Sequence, residues 1–267
     1  METEISIAAI ISTYNSPDYL RRVLEGYRVQ SHHPDELIVA DDGSTEETAR
    51  LVADFAQTAP FAVRHVWHED RGFRLAEIRN RAVAAASADY LVFSDGDCIP
   101  HPRFIEDHCR IQRRGSFVTG KRMLVGQSLS KHFNWQGMAM ALSCCLKGEL
   151  SGCHHLIHLP WLVLLRKGSK GLRGCNMAAF RSDLLAVNGF NEIITGWGRE
   201  DSELVTRLYA YGLVRREAPF AAVVLHLWHQ EHSRSSLPEN DRLLEETLVS
   251  GHYRCPVGIV KDGVTAI

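Results

Sequence analysis

Tyr90-Leu91-Val92-Phe93-Ser94-Asp95-Gly96-Asp97 decides the fold class. Four apolar residues in a row, with no polar alternation, predict a strand buried on both faces, as a parallel sheet requires. The run ends in two acids around a glycine. A bare turn would also use Asp-Gly, but it does not account for the apolar strand that feeds it.

Outward from this stretch the same rhythm recurs. Ile5 to Ile11 reads as a first buried strand, followed by Ser12-Thr13-Tyr14-Asn15-Ser16-Pro17, with Ser16 as N-cap and Pro17 as the first helical residue. Leu20, Val23, Leu24 and Tyr27 repeat at helical spacing. Leu37 to Ala40 is a second strand, closed by Asp41-Asp42-Gly43-Ser44. Ser44 and Glu47 have capping-box spacing, and Leu51, Val52 and Phe55 mark the apolar face of the next helix. Val63 to Trp67 predicts a third strand, Leu75 to Ala86 a helix, and Pro102 to Arg113 another. Strand and helix alternation argues for a parallel α/β sheet flanked by helices, whose ligands sit beyond the carboxyl ends of the strands. Ser12 to Asn15, Asp41-Asp42 and Asp95 to Asp97 all lie at such ends. Further on, Ser202 to Gly212 predicts a helix, and Ala221 to Leu225 a strand that leads to His226-Leu227-Trp228-His229-Gln230-Glu231-His232.

Bulk properties bound the rest. The chain has 267 residues, 45% hydrophobic and 23% charged, which is ordinary globular composition. A net charge of −2 gives no drive toward nucleic acid, so a phosphate-bearing ligand needs a local site. Seven scattered cysteines fit a reduced, cytoplasmic protein better than a disulfide scaffold. Met1-Glu2-Thr3-Glu4 does not read as a signal peptide, and no apolar run is long enough to span a bilayer. The tail after Gly251 is expected to be loosely ordered.

The quoted motifs resemble glycosyltransferase family 2, the inverting transferases of the GT-A fold. The first third carries Ser12-Thr13-Tyr14-Asn15, Asp41-Asp42-Gly43-Ser44, Arg79-Asn80 and Asp95-Gly96-Asp97. The last third, Asn188-Gly189-Phe190 and Gly196-Trp197-Gly198-Arg199-Glu200-Asp201, resembles galactosyltransferases and bacterial chondroitin-type polymerases. The resemblance implies one continuous GT-A domain: a nucleotide-sugar-binding half (1–120), a variable connecting segment (121–173) and an acceptor-binding, catalytic-base half (174–267).

It also implies roles. Asp97 would ligate a divalent metal on the donor diphosphate, Mn²⁺ rather than Mg²⁺ if His229 or its competitor His226 also ligates. Asp95 would sit near the ribose or reach the metal through water. Asp42 would bind the nucleobase, Ser12 and Tyr14 would line its pocket, and Arg74 or Arg79 would reach base or phosphate. Asp201 would be the catalytic base, Glu200 an acceptor contact and Trp197 a sugar platform whose flanking glycines allow loop closure. Plain packing of Tyr14 and Trp197, solvated arginines and acids that merely favour a helix N-terminus are the simpler alternatives. The implied partners are a nucleotide diphosphate sugar, UDP-sugar favoured, and a glycan or lipid-linked acceptor in bacterial polysaccharide or lipopolysaccharide synthesis.

Two features stand outside this scheme. Cys144, Cys145, Cys153, His154, His155 and His158 match no standard zinc spacing, so core packing is the expectation. Leu159 to Leu165 followed by Arg166, Lys167, Lys170 and Arg173 reads either as peripheral contact with the cytoplasmic face of the inner membrane or as a core element with a solvated loop. Two other classes compete with a transferase. A nucleotidyltransferase usually carries a Gly-rich basic loop after its first strand, which this chain lacks. A non-catalytic carbohydrate-binding protein would have little use for Asp95, Asp97, Glu200 and Asp201.

Overall fold

The computed structural model describes residues 5–168, 171–230 and 233–261. Met1–Glu4, Lys170 of the basic stretch, and Glu231 and His232 of the late cluster lie outside the described residues. The first half runs β1 (Ile7–Thr13), α1 (Pro17–Arg28), β2 (Glu36–Asp41), α2 (Glu46–Ala56), β3 (Ala62–Trp67), α3 (Leu75–Ala85) and β4 (Tyr90–Asp95). There follow β5 (Cys98–Pro100), α4 (Phe104–Ile111), β6 (Ser116–Thr119), β7 (Lys121–Val125), α5 (Gln127–Ser130), α6 (Met138–Leu146), β8 (Leu150–Ser151), a 3₁₀ turn (Cys153–Leu156) and β9 (Leu164–Arg166). The last part is β10 (Asn176–Phe180), α7 (Arg181–Ala186), α8 (Glu200–Ala210), β11 (Val214–Glu217), β12 (Val223–His226) and α9 (Leu237–Ser250).

Eight strands form the main sheet in the order β3-β2-β1-β4-β10-β6-β11-β9. The four at the β3 end are parallel, and β10 enters antiparallel to β4 and β6, so a strand from the last third sits inside the sheet. The predicted two-sided burial of β1 holds. Ile7, Ala9 and Ile11 join one apolar core, while Ala8 and Ile10 join the core on the opposite face. The chain leaves β1 toward β2 and returns on its other side as β4, which opens a crevice at the carboxyl ends of β1 and β4. There Ser12 pairs in register with Asp95.

A second sheet, β5-β12-β7-β8, crosses the end of β4. Its antiparallel β12–β5 pair sets His226 opposite Cys98, and Leu227 N–H donates to the Asp97 carbonyl at 2.8 Å. This pairing carries the late histidines back to the acidic turn.

Several expectations need correction. The Ser44–Glu47 capping box does not form: α2 starts at Glu46 with Thr45 as cap, and the Ser44 hydroxyl instead accepts Asn15 N–H at 2.8 Å. Ser16 caps α1 by position, but its hydroxyl donates to the Tyr14 carbonyl. The tail is not loose through Lys261: Cys255 is buried, and the Asn188 amide donates to the Cys255 and Val260 carbonyls at 2.9 and 2.7 Å. Disulfide-free chemistry is also wrong for one pair. Cys145 at the end of α6 is bonded to Cys153 in the 3₁₀ turn, because the turn through β8 folds one back on the other. No zinc-like grouping forms from the 144–158 cluster among the described residues.

A buried ion pair locks α8 in place. Arg207 contacts Glu203 at 2.7 Å and donates to the Val187 and Gly189 carbonyls. Removing one partner of such a pair leaves a charge without compensation. Arg207→Ala is expected to cost about 3–5 kcal/mol, read as a lower urea midpoint. Arg50→Ala, on an exposed pair with Glu46, should leave the midpoint where it is.

Candidate active site

The crevice gathers side chains from both ends of the chain. Asp97 Oδ2 lies 3.0 Å from His229 Nε2 and 3.7 Å from His226 Nε2. The three ligating atoms all fall within 4.8 Å of one another. One carboxylate oxygen and two imidazole nitrogens form a donor set that could hold a divalent ion. Without an ion, desolvation works against the Asp97 charge. The hydrogen bond from His229 and the nearby imidazoles outweigh it, and the carboxyl stays below its ordinary value. The same bond lifts His229 to about 9, while desolvation lowers His226. Cys98 donates to Asp97 Oδ1 at 3.2 Å, its thiol held protonated by burial.

Arg79 is almost fully buried and joins the two acidic clusters. It donates to Ser12 Oγ at 3.0 Å and to Asp95 Oδ1 at 2.8 Å, and lies 3.5 Å from Glu200 Oε1. Its charge is therefore spent inside the site rather than extended toward a ligand. Glu200 and Asp201 open α8. Desolvation and the adjacent Asp201 push Glu200 up to about 7, partly offset by Arg79. Asp201 Oδ1 accepts Ser202 N–H at 2.6 Å, which leaves Oδ2 toward Gly174. A methyl added at Gly174 would lie 3.3 Å from that oxygen, so the glycine makes room for the carboxylate.

On the β2 and β3 side, each carboxylate oxygen of Asp42 holds one partner. Its Oδ1 contacts His68 Nε2 at 2.6 Å and its Oδ2 accepts Arg74 N–H at 2.8 Å; desolvation raises its pKa. The Arg74 side chain points to Glu77 instead, at 2.7 Å. Tyr14 is half exposed and donates to Asp70 Oδ2 at 2.8 Å. The sequence reading missed His68, although it stands just past the end of β3, where the strand-end rule would have placed a candidate.

The Trp197 loop is clamped rather than free. Buried Asn240, from the first turn of α9, donates to the Thr195 and Gly198 carbonyls at 3.0 and 2.9 Å. Arg199 pairs with Asp241, and Arg234 stacks 5.5 Å from the Trp197 ring centre. Gly196 has φ +71°, and an added Cβ there would strike Ser236, which excludes any other residue. The indole itself is 38% exposed.

Comparison with known proteins fits this geometry. Residues 8–140 match the family model for glycosyl transferase family 2, and residues 163–230 match that for the N-terminal domain of galactosyltransferase. Over residues 8–140 the chain thus resembles glycosyltransferase family 2. Similar proteins include validoxylamine A glucosyltransferase of Streptomyces hygroscopicus subsp. limoneus, 27% identical over 78% of this chain and 48% of that one. Chondroitin synthase of Escherichia coli is 26% identical over 84% of this chain and 34% of the relative. The chain thus spans about half the length of these relatives, or less. Among solved structures, GalNAc-T7 with UDP, GalNAc and Mn²⁺ superimposes with TM-score 0.67 at 13% identity, covering 92% of this chain and 48% of that one. The Pyrobaculum calidifontis mannosyltransferase PcManGT with GDP-Man and Mn²⁺ gives 0.57 at 18% identity, covering 94% and 64%. The fold is GT-A.

Asn240→Ala should release the Thr195–Gly198 turn, since the Thr195 and Gly198 carbonyls lose their shared donor together. Amide exchange at residues 196–199 is expected to speed up by about tenfold or more, with exchange in β1 and β4 unchanged. Equal protection in the variant would show that the loop is held by something else.

Proposed function

We propose that the chain is an inverting, metal-dependent glycosyltransferase that moves a sugar from a nucleotide diphosphate sugar to a hydroxyl of a glycan or glycolipid. The observation that carries this reading is the convergence of Asp97, His226 and His229 with Glu200 and Asp201 at one sheet edge, with Arg79 between them. A UDP-sugar is the favoured donor, UDP being the nucleotide bound in GalNAc-T7. Glycan assembly of the bacterial cell-surface or lipopolysaccharide type is the favoured setting; the name chondroitin synthase on one relative supports it.

Asp97, His229 and His226 would hold the divalent ion, which when bound supplies positive charge to the diphosphate as it leaves. Asp42, fixed by His68 and the Arg74 N–H, would accept from the base, with Ser12 and Tyr14 along the pocket. Asp95, oriented by Arg79, would face the ribose. Trp197 would offer its exposed face to the acceptor sugar, and Glu200 would bind an acceptor hydroxyl. Asp201 would take the proton of the attacking hydroxyl. That oxygen bonds to the anomeric carbon while the bond from that carbon to the diphosphate oxygen breaks, and the electron pair leaves with the nucleoside diphosphate. Attack opposite the leaving group inverts the anomeric centre. A carboxylate of ordinary basicity suffices, because deprotonation is concerted with bond breaking.

Asp201→Asn should lower turnover by about a hundredfold or more while donor affinity, measured by calorimetry, stays within a factor of about two. Wild-type turnover in that variant removes Asp201 as base. Asp97→Ala should abolish the difference between UDP-sugar binding with Mn²⁺ and with chelator. A persisting metal effect places the ion elsewhere, and pyrophosphate release during turnover would point to a nucleotidyltransferase.

A further inference from the structure

The connecting segment carries an exposed apolar face. Met138, Leu142 and Leu146 stand four residues apart on α6, which puts them in one stripe along the helix. All three are exposed, Leu146 at 91%. Beyond the 3₁₀ turn, Ile157, Trp161 and Leu165 are exposed as well, Trp161 at 77% and Leu165 at 68%. These two groups are tied together. The Cys145–Cys153 bond joins the end of α6 to the turn, and the chain then passes over Pro219 and Phe220 to β9. α6 packs on β8 and β9 is itself a strand, each the outermost strand of its sheet, so the face lies where the two sheets end.

The charge on this segment identifies what the face meets. Residues 131–173 contain six Lys or Arg and a single acid, Glu149, in a chain whose net charge is −2. Lys147, Arg166 and Lys167 directly flank the apolar residues and are exposed. Exposed Leu, Ile and Trp beside cations match a surface that is apolar within and anionic at its boundary. A second copy of the chain matches it poorly. A two-fold contact would set the basic face against itself, with Glu149 and the Glu217 that already pairs with Arg166 as the carboxylates at hand.

We propose that α6 and residues 157–167 dock on an anionic lipid bilayer surface. The segment that bears this face is anchored at the active site at both ends. Ser130 Oγ accepts Trp228 N–H at 2.6 Å beside His229, and Gly174 abuts Asp201. Docking therefore holds the catalytic edge close to the lipid headgroups. The proposal does not depend on the assignment of donor, base or metal, since lipid binding is read without turnover.

The test is flotation of the full chain with vesicles of phosphatidylcholine alone and of phosphatidylcholine with about 30 mol% phosphatidylglycerol at 0.1 M salt. The chain is expected to float with the anionic vesicles and not with the neutral ones. L142S/L146S/W161S should abolish flotation. K147Q/R166Q/K167Q should weaken it by about a hundredfold, at roughly fivefold per cation. Unchanged thermal melting and an unchanged far-ultraviolet circular dichroism spectrum would show that both variants are folded. Failure of the wild-type chain to float with anionic vesicles overturns the proposal, as does flotation that neither variant alters. Vesicle-independent dimerisation in sedimentation, lost in L142S/L146S/W161S, would assign the face to a second copy instead.

Discussion

One buried guanidinium organises the site. Arg79 sits on α3, away from water, and a charge there is tolerated only if it is paired. Its partners come from three places far apart in sequence: Ser12 at the end of β1, Asp95 at the end of β4, and Glu200 at the start of α8. Satisfying one cation therefore fixes the distance between the two halves of the crevice. Like charges on Asp95 and Glu200 would otherwise repel across it. The second sheet repeats this logic on the other side, where the β12–β5 register delivers His226 and His229 to Asp97.

The first half of the fold was legible because β1, β2 and β4 are buried on both faces and each carries an unbroken apolar run, whereas β3 at the sheet edge is only partly buried and is interrupted by Arg64 and His65. The crevice followed from where those runs end. Asp95, Asp97, Glu200, Asp201 and His229 do come together, and they do so at strand or helix ends. What could not be read were relations set by distant pairing. Nothing local says that Asn240 will bond the Thr195 and Gly198 carbonyls, or that Asn188 will bind down the tail through Cys255 and Val260. Spacing misled at Ser44, because its hydroxyl found a partner in the Asn15 loop rather than in its own helix. Arg74 was chosen for its charge, yet its backbone N–H is what touches Asp42.

The same distinction separates the Trp197 loop from the glycine-hinge expectation. Two glycines around an aromatic suggest freedom, and Gly196 does need its left-handed φ. That conformation serves close packing, with Ser236 occupying the space a Cβ would fill. Asn240 and the Arg199–Asp241 pair then close the loop from the far side. The indole is held in place before any ligand arrives, which lowers the ordering cost of binding against it.

Electrostatics sets the final constraint. Asp95, Asp97, Glu200 and Asp201 crowd one crevice, and Arg79 is the permanent cation that pairs with Asp95 and Glu200 there. The crowding shifts its neighbours: desolvation and Asp201 push Glu200 up to about 7, and the bond to Asp97 draws His229 up to about 9. A protonated His229 thus supplies the positive charge that Asp97 lacks. On the proposed function, a diphosphate entering this crevice would add negative charge to a place already rich in it. A divalent ion at Asp97 would then answer that charge and replace the His229 proton, since an imidazole that ligates must first give it up. On that reading, the acidic crowding that makes the crevice unfavourable for an anion alone would suit an anion and a divalent ion together.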